Sequence, residues 1–240
     1  MAWSSDAARA ARRLLVLAAV VALGGGVVAL AAAPAPAPAS SPPGVIAGSL
    51  SLVRLSVGSA VKGFDETLVY LDDAPPAAAG SAGPFVMAQE KKAFTPRLLV
   101  VPNGARVDFP NRDVFFHNVF SVTPGSTFDL GLYKSGGSKS VVFATPGIVS
   151  VYCNIHPQMS AWVAVMANAL WARPAADGSF VLAGVPAGKW HAVAWFPYGK
   201  PERAEVSVAA GGRAALSLVL REVVGAVRHP DKDGKAYGRY

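Results

Sequence analysis

Across 240 residues the chain has one cysteine, four histidines and four methionines. A lone cysteine cannot close an internal disulfide, so this thiol is an exposed liability, a silent buried group or a metal ligand. Charged residues make up only 15% of the chain. The formal net charge of +7 is spread thinly, and no dense Lys/Arg stripe argues for nucleic acid. No serine–histidine–acid set and no carboxylate pair is recognisable, which removes the common hydrolytic chemistries. Beyond the first forty residues no stretch has useful helical periodicity.

The N-terminal region reads as an export signal over residues 1–39. Arg9, Arg12 and Arg13 precede an apolar, charge-free run at 14–33, and Ala37-Pro38-Ala39 offers small residues for cleavage before Ser40. The alternative is an uncleaved anchor, for which the 17 residues 14–30 are near the short end of a bilayer span. Arg12-Arg13 only weakly matches a twin-arginine signal. Cleavage would leave about 200 residues, enough for two small β domains or one large one, in an oxidising, periplasmic compartment. It would also lower the net charge to +5 by removing three arginines and Asp6.

The remaining pattern is β throughout, so the expected fold class is all-β. Val, Phe, Tyr and Leu alternate with small or polar residues in short runs, punctuated by Pro and Gly about every ten positions, as in β-sandwiches. Strands are expected at 46–53, 67–71, 85–89, 96–101, 106–109, 117–121, 140–143, 148–152 and 161–166. A later set follows at 179–182, 191–195, 204–208 and 213–220. Residues 73–84, rich in Pro and Ala, read as a linker. The polar, charged segment from 223 to 240 reads as a flexible tail.

The cysteine sits in Cys153-Asn154-Ile155-His156-Pro157-Gln158-Met159, with His117 upstream in a hydrophobic strand. In residues 147–153 period-two alternation puts Val149, Val151 and Cys153 on one face, so Cys153 ends a strand pointing inward. The chain then turns, delivers His156 and Met159, and re-enters a strand at 161. Two imidazoles, a thiolate and a weak axial thioether form the ligand set of a one-electron copper centre. Each residue also has a plainer reading: His117 as a hydrogen-bonded core histidine, Met159 as packing, Cys153 as a buried thiol. Their joint occurrence at this spacing favours one type 1 copper. His191 and His229 read as ordinary surface residues, and Trp162, Trp171, Trp190 and Trp195 as packing at domain edges. Pro157 and Met159 are expected to make an apolar rim around His156, suited to transient docking or to loop rigidity.

From about Phe85 to Ala167 the chain resembles a cupredoxin of the plastocyanin and amicyanin type. The resemblance is carried by Ala93-Phe94-Thr95-Pro96, Leu98-Leu99-Val100-Val101, Gly104, Val107-Asp108-Phe109-Pro110-Asn111, His117-Asn118-Val119 and the cysteine loop. The Cys-x-x-His-x-x-Met spacing is closer to amicyanin. The resemblance implies that His117 and His156 bind through ring nitrogens, Cys153 through its thiolate and Met159 axially. It also implies that Asn118 ties the histidine loop to the backbone beside the cysteine, with Pro157 supporting the loop. The full arrangement is similar to exported methylamine-utilisation or plastocyanin-like proteins. Residues 177–190, with Asp177-Gly178 and Pro186-Ala187-Gly188, resemble a carboxypeptidase-regulatory or transthyretin-like β-sandwich. The expected organisation is therefore a cupredoxin at 85–167 inserted in a smaller sandwich formed by 45–72 and 168–222. The alternative places the early strands in the cupredoxin sheet.

The leading functional expectation is an electron carrier that meets a redox partner protein near His156. The others are a copper delivery or storage module and a metal-free scaffold. Delivery would be favoured by Met-rich or His-rich tracts, which are missing. An oxidase or reductase is not expected: Tyr152 and Asn154 flank the cysteine where multicopper enzymes have histidines, and His191 and His229 are too few for another copper centre. Membrane contact is expected only through an uncleaved signal.

Overall fold

The computed structural model describes residues 41–55, 57–59, 61–77, 83–224, 231–233 and 235. The expected export signal at 1–39 lies outside the described residues, as do 78–82 of the linker and most of the tail. Among the described residues there is no helix, and hence none long and apolar enough to cross a membrane. The protein is all-β.

The first strand, β1 (Gly44–Val53), has alternating Ile46 and Leu50 buried, and it is flanked on both sides. It pairs antiparallel with β14 (Ser179–Val185) and parallel with β17 (Arg213–Arg221). Gly48 permits this packing, because a Cβ there would fall 2.2 Å from the Leu216 carbonyl oxygen and 2.5 Å from the Phe180 ring. The facing sheet runs in the order β13 (Trp171–Ala172), β2 (Leu68–Leu71), β15 (Gly188–Trp195), β16 (Glu202–Val208). Between the sheets, Ile46, Leu50, Phe180, Leu182 and Leu220 meet Val69, Leu71, Ala192, Ala194 and Val206 in one core. Residues 44–53 and 68–71 take their ladder partners from 171–221, and none of those partners lies between 85 and 166.

The middle of the chain builds a second sandwich. One sheet has the order β10 (Ser138–Phe143), β7 (Ala105–Pro110), β3 (Phe85–Val86). The other has the order β6 (Leu98–Pro102), β12 (Ser160–Met166), β11 (Gly147–Tyr152), β8 (His117–Ser121), β9 (Phe128–Tyr133). A hairpin of β4 (Ala88–Glu90) and β5 (Ala93–Thr95) turns through Lys91 and Lys92, both at positive φ (54° and 55°). The expected strand at 85–89 is thus broken at Met87, which leaves the ladder to fill the core. Strand β9 was not expected from the pattern. Gly131, at φ 65°, interrupts its alternation, and the β8–β9 register shifts between Asn118 and Phe120.

Strand β12 is buried along its whole length. Ala161, Val163 and Val165 face the inner core with Cys153 and Met159. The opposite face, Trp162, Ala164 and Met166, packs with Leu68, Leu98 and Trp195. The Trp162 and Trp195 rings meet edge to face, with centroids 6.0 Å apart. Arg97 covers this seam: it pairs with Glu66 at 2.7 Å, donates to the Tyr198 hydroxyl at 3.2 Å and lies 5.2 Å from the Trp162 ring centroid. Of the other tryptophans, Trp190 donates to the Pro186 carbonyl at 2.8 Å, and Trp171 is exposed.

Candidate metal centre

Three element ends converge at one rim of the second sandwich. β8 begins at His117, and Cys153 follows the last residue of β11. The loop back to β12 is closed by two backbone bonds: Cys153 N–H to the Met159 carbonyl at 3.2 Å, and Met159 N–H to the His156 carbonyl at 2.9 Å. These bonds fold seven residues into a turn that presents thiol and imidazole to the same point. His117 and Cys153 are fully buried, whereas His156 keeps one edge open.

Both imidazoles turn Nδ1 toward the sulfur. Cys153 Sγ lies 3.9 Å from His117 Nδ1 and 3.8 Å from His156 Nδ1, and the two nitrogens are 3.1 Å apart. A point in their plane equidistant from all three atoms is about 2.1 Å from each, close to the usual bond lengths of imidazole nitrogen and thiolate sulfur to a small divalent ion. The donors therefore fit a trigonal first-row metal without rearrangement, and the soft sulfur with two imidazoles suits copper. Burial, then the neighbouring His117 and the Lys92 ammonium, push the pKa of His156 down against the opposing pull of Asp113. A neutral imidazole with a free lone pair is what a metal requires.

Met159 is buried beneath the loop, in the same core as Cys153. It is therefore not part of the surface rim expected of it. Pro157 is half-buried next to His156. Asn118 has a different partner from the one expected: its side-chain amide donates to Asp129 Oδ1 at 2.6 Å, while its buried Oδ1 has no hydrogen-bond partner among the described residues. Asp129, which stands opposite Phe120 at the register shift, also accepts from Gly131 N–H at 2.8 Å. The tail is not wholly free of the sandwich. Lys232 N–H donates to Asn154 Oδ1 at 3.1 Å, and its ammonium lies 3.6 Å from Asp129 Oδ2. A cleft of about 280 Å³ between these groups is lined by Asn118, Asp129, Leu132, Asn154, Ile155 and Lys232, among others.

The sequence reading did not single out Asp113. Its Oδ2 sits 2.9 Å from His117 Nε2, so a proton on that nitrogen points at the carboxylate while Nδ1 faces the thiol. Lys91 N–H donates to Oδ1 at 2.6 Å and Lys92 N–H to Oδ2 at 2.8 Å, which explains why two non-glycine residues hold positive φ in this turn. Burial alone would raise the Asp113 pKa, but the bonds from Lys92, His117 and Lys91 outweigh it and hold the carboxyl below its ordinary range. A carboxylate behind a metal-binding imidazole fixes its tautomer and orientation. The available sequence signal was an acid four residues before a histidine expected to bind metal. His191, expected to be an ordinary surface residue, forms an exposed group with Asp72 and Asp73; Asp73 lies 2.7 Å from its Nδ1, and Asp72 is paired with Arg203.

The chain is thus an all-β protein carrying a preformed His–Cys–His donor set. No family model matches it, and no curated protein sequence does either. Among solved structures it is similar to a copper-containing nitrite reductase from Thermus scotoductus SA-01, with 25% identity and a TM-score of 0.34 over 38% of this chain. It spans only 25% of that reductase. It is similar to an amicyanin variant in the reduced Cu(I) form, with 25% identity and a TM-score of 0.34, over 41% of this chain and 98% of the amicyanin. A purple cupredoxin from Nitrosopumilus maritimus matches at 22% identity and a TM-score of 0.32, over 35% of this chain and all of the cupredoxin.

Proposed function

We propose that the protein is an exported, periplasmic type 1 copper protein that carries single electrons and is not itself an enzyme. One copper would be held by His117, Cys153 and His156, with Met159 as the weak axial ligand. The carrying observation is the donor triangle with sides of 3.1, 3.8 and 3.9 Å, already formed by the polypeptide alone. A bound copper supplies a Cu(II)/Cu(I) couple that accepts one electron and gives up one.

The residues account for the rest. The loop closed by Cys153 and Met159 holds the donors in one geometry for both oxidation states, so little energy is spent on rearrangement at each transfer. Asp113 keeps the His117 ring from rotating. The open edge of His156 is the shortest path to a docked partner. Burial of His117 and Cys153 under a doubly bonded loop favours retention of the ion over its delivery. In this reading residues 85–167 are the copper-carrying unit, inserted in the sandwich that contains β1, β2 and β13 to β17.

The test is optical. Copper-loaded, oxidised protein should absorb intensely toward the red through thiolate-to-copper charge transfer, and Cys153→Ala should abolish the band. A colourless wild type with only ordinary tetragonal copper signals would overturn the reading.

A further inference from the structure

We infer that the face around His156 docks a redox protein whose contact surface is apolar at its centre and acidic at its edge; this rests on the copper reading and names the partner's chemistry. Val114, Phe115 and Phe116 are consecutive, and 82%, 48% and 57% exposed. They lead directly into His117. Ile155, 44% exposed, leads into His156 on the other loop. Core packing does not require any of these four side chains to stand in water, and apolar residues grouped this way mark interaction sites.

The apolar group is held in place rather than loose. Asn111, itself buried, donates through its side-chain amide to the Phe115 carbonyl at 2.7 Å and accepts from Asp113 N–H at 3.0 Å. Asp113 in turn is tied to Lys91, Lys92 and His117. A prepared surface of this kind loses little conformational entropy when a partner arrives.

Its charge is one-sided. Lys91, Lys92 and Arg112 are exposed at the edge of the apolar group, and the Lys92 ammonium sits 4.6 Å from the centre of the Phe115 ring. Two carboxylates lie close by and offset part of this charge. Asp113 is engaged by one ring nitrogen and two backbone amides, and Glu90 lies 4.0 Å from Arg112. In the cleft beside Ile155, Lys232 is matched by Asp129 and Asp233 at 3.6 and 3.7 Å. Three cations, Lys91, Lys92 and Arg112, against two carboxylates, Asp113 and Glu90, leave one unit of excess positive charge beside Phe115, where it would steer an acidic partner onto His156.

The experiment is stopped-flow electron transfer between the full-length, copper-loaded protein and two small c-type cytochromes, one acidic and one basic, across a range of salt. With the acidic cytochrome the rate should fall about tenfold or more from low to high salt, and with the basic one it should rise. Replacing Lys91, Lys92 and Arg112 together by Gln should flatten the slope for the acidic partner. Phe115→Ser with Phe116→Ser should slow both reactions at every salt concentration and leave the slopes unchanged. A rate with the acidic cytochrome that is independent of salt, or that increases with it, overturns the inference. So do serine variants that react as fast as wild type. The visible absorbance of each sample before mixing reports the copper reading separately.

Discussion

Replacing Asp113 by Asn should raise the reduction potential of the copper-loaded protein. The substitution keeps the shape of the side chain and an oxygen for His117 Nε2–H, but removes a negative charge held 2.9 Å behind the imidazole. Counting that bond, the width of the ring and a metal–nitrogen bond, the carboxylate stands about 7 Å from the metal position, where a unit charge at an effective dielectric constant near 20 is worth about 2.4 kcal/mol. The carboxylate favours the ion with the higher charge, so its loss penalises Cu(II) relative to Cu(I). One-electron conversion makes 2.4 kcal/mol about 100 mV, and partial solvent screening lowers the expected rise to about 50–100 mV. With its oxygen kept on His117 and Lys92, the Asn amide nitrogen would also confront Lys91 N–H with a second donor, which costs roughly 1–3 kcal/mol of fold stability. Spectroelectrochemical titration checks the first effect and thermal melting the second. If copper stays bound and blue while the potential moves by less than about 20 mV, or falls, the electrostatic role assigned to Asp113 on Coulomb grounds is refuted.

Met159→Leu should retain copper and colour and raise the potential, because loss of a soft axial donor in a sheltered site destabilises Cu(II) more than Cu(I); Met159→Gln should lower it. Potentials unmoved by both changes would make Met159 a packing residue. Alkaline stability should depend on Tyr198, whose hydroxyl donates to Glu66 at 2.5 Å and whose pKa is pushed up to about 12 by burial and then by Glu66. Because that value lies above the unfolded one near 10, the stabilisation is complete below about pH 10 and is lost as the pH rises toward about 12. Tyr198→Phe should shrink the loss of denaturant-measured stability across this window; equal losses in both proteins would assign the effect to other groups.

The cysteine loop was legible because strand alternation has a period of two: once Val149 and Val151 are placed inward, Cys153 follows, and the turn that closes at Met159 brings His156 back. The β character of the chain was legible for the same reason. Asp113 was not, since it lies in a loop with no period, and its geometry depends on two backbone amides from a hairpin more than twenty residues away. Strand β9 was hidden because Gly131 and Asp129 weaken its pattern, while Asp129 compensates by bonding to Gly131 and Asn118. The placement of Lys232 was hidden because a polar tail offers no hydrophobic signal, and its contacts with Asn154 and Asp129 are purely polar.

Strand β12 belongs to two cores at once, and this joins them thermodynamically. Cutting the chain at the sandwich boundaries would strip the cover from Trp162, Ala164 and Met166 and leave a strand with one wet apolar face. Neither half can loosen without charging the other for newly exposed surface. Any ion retained by Cys153 and His156 therefore stabilises more than the loop that grips it. Through Ala161 and Trp162, adjacent residues pointing in opposite directions, its binding free energy reaches the distant sandwich, whose melting should rise with occupancy of the centre.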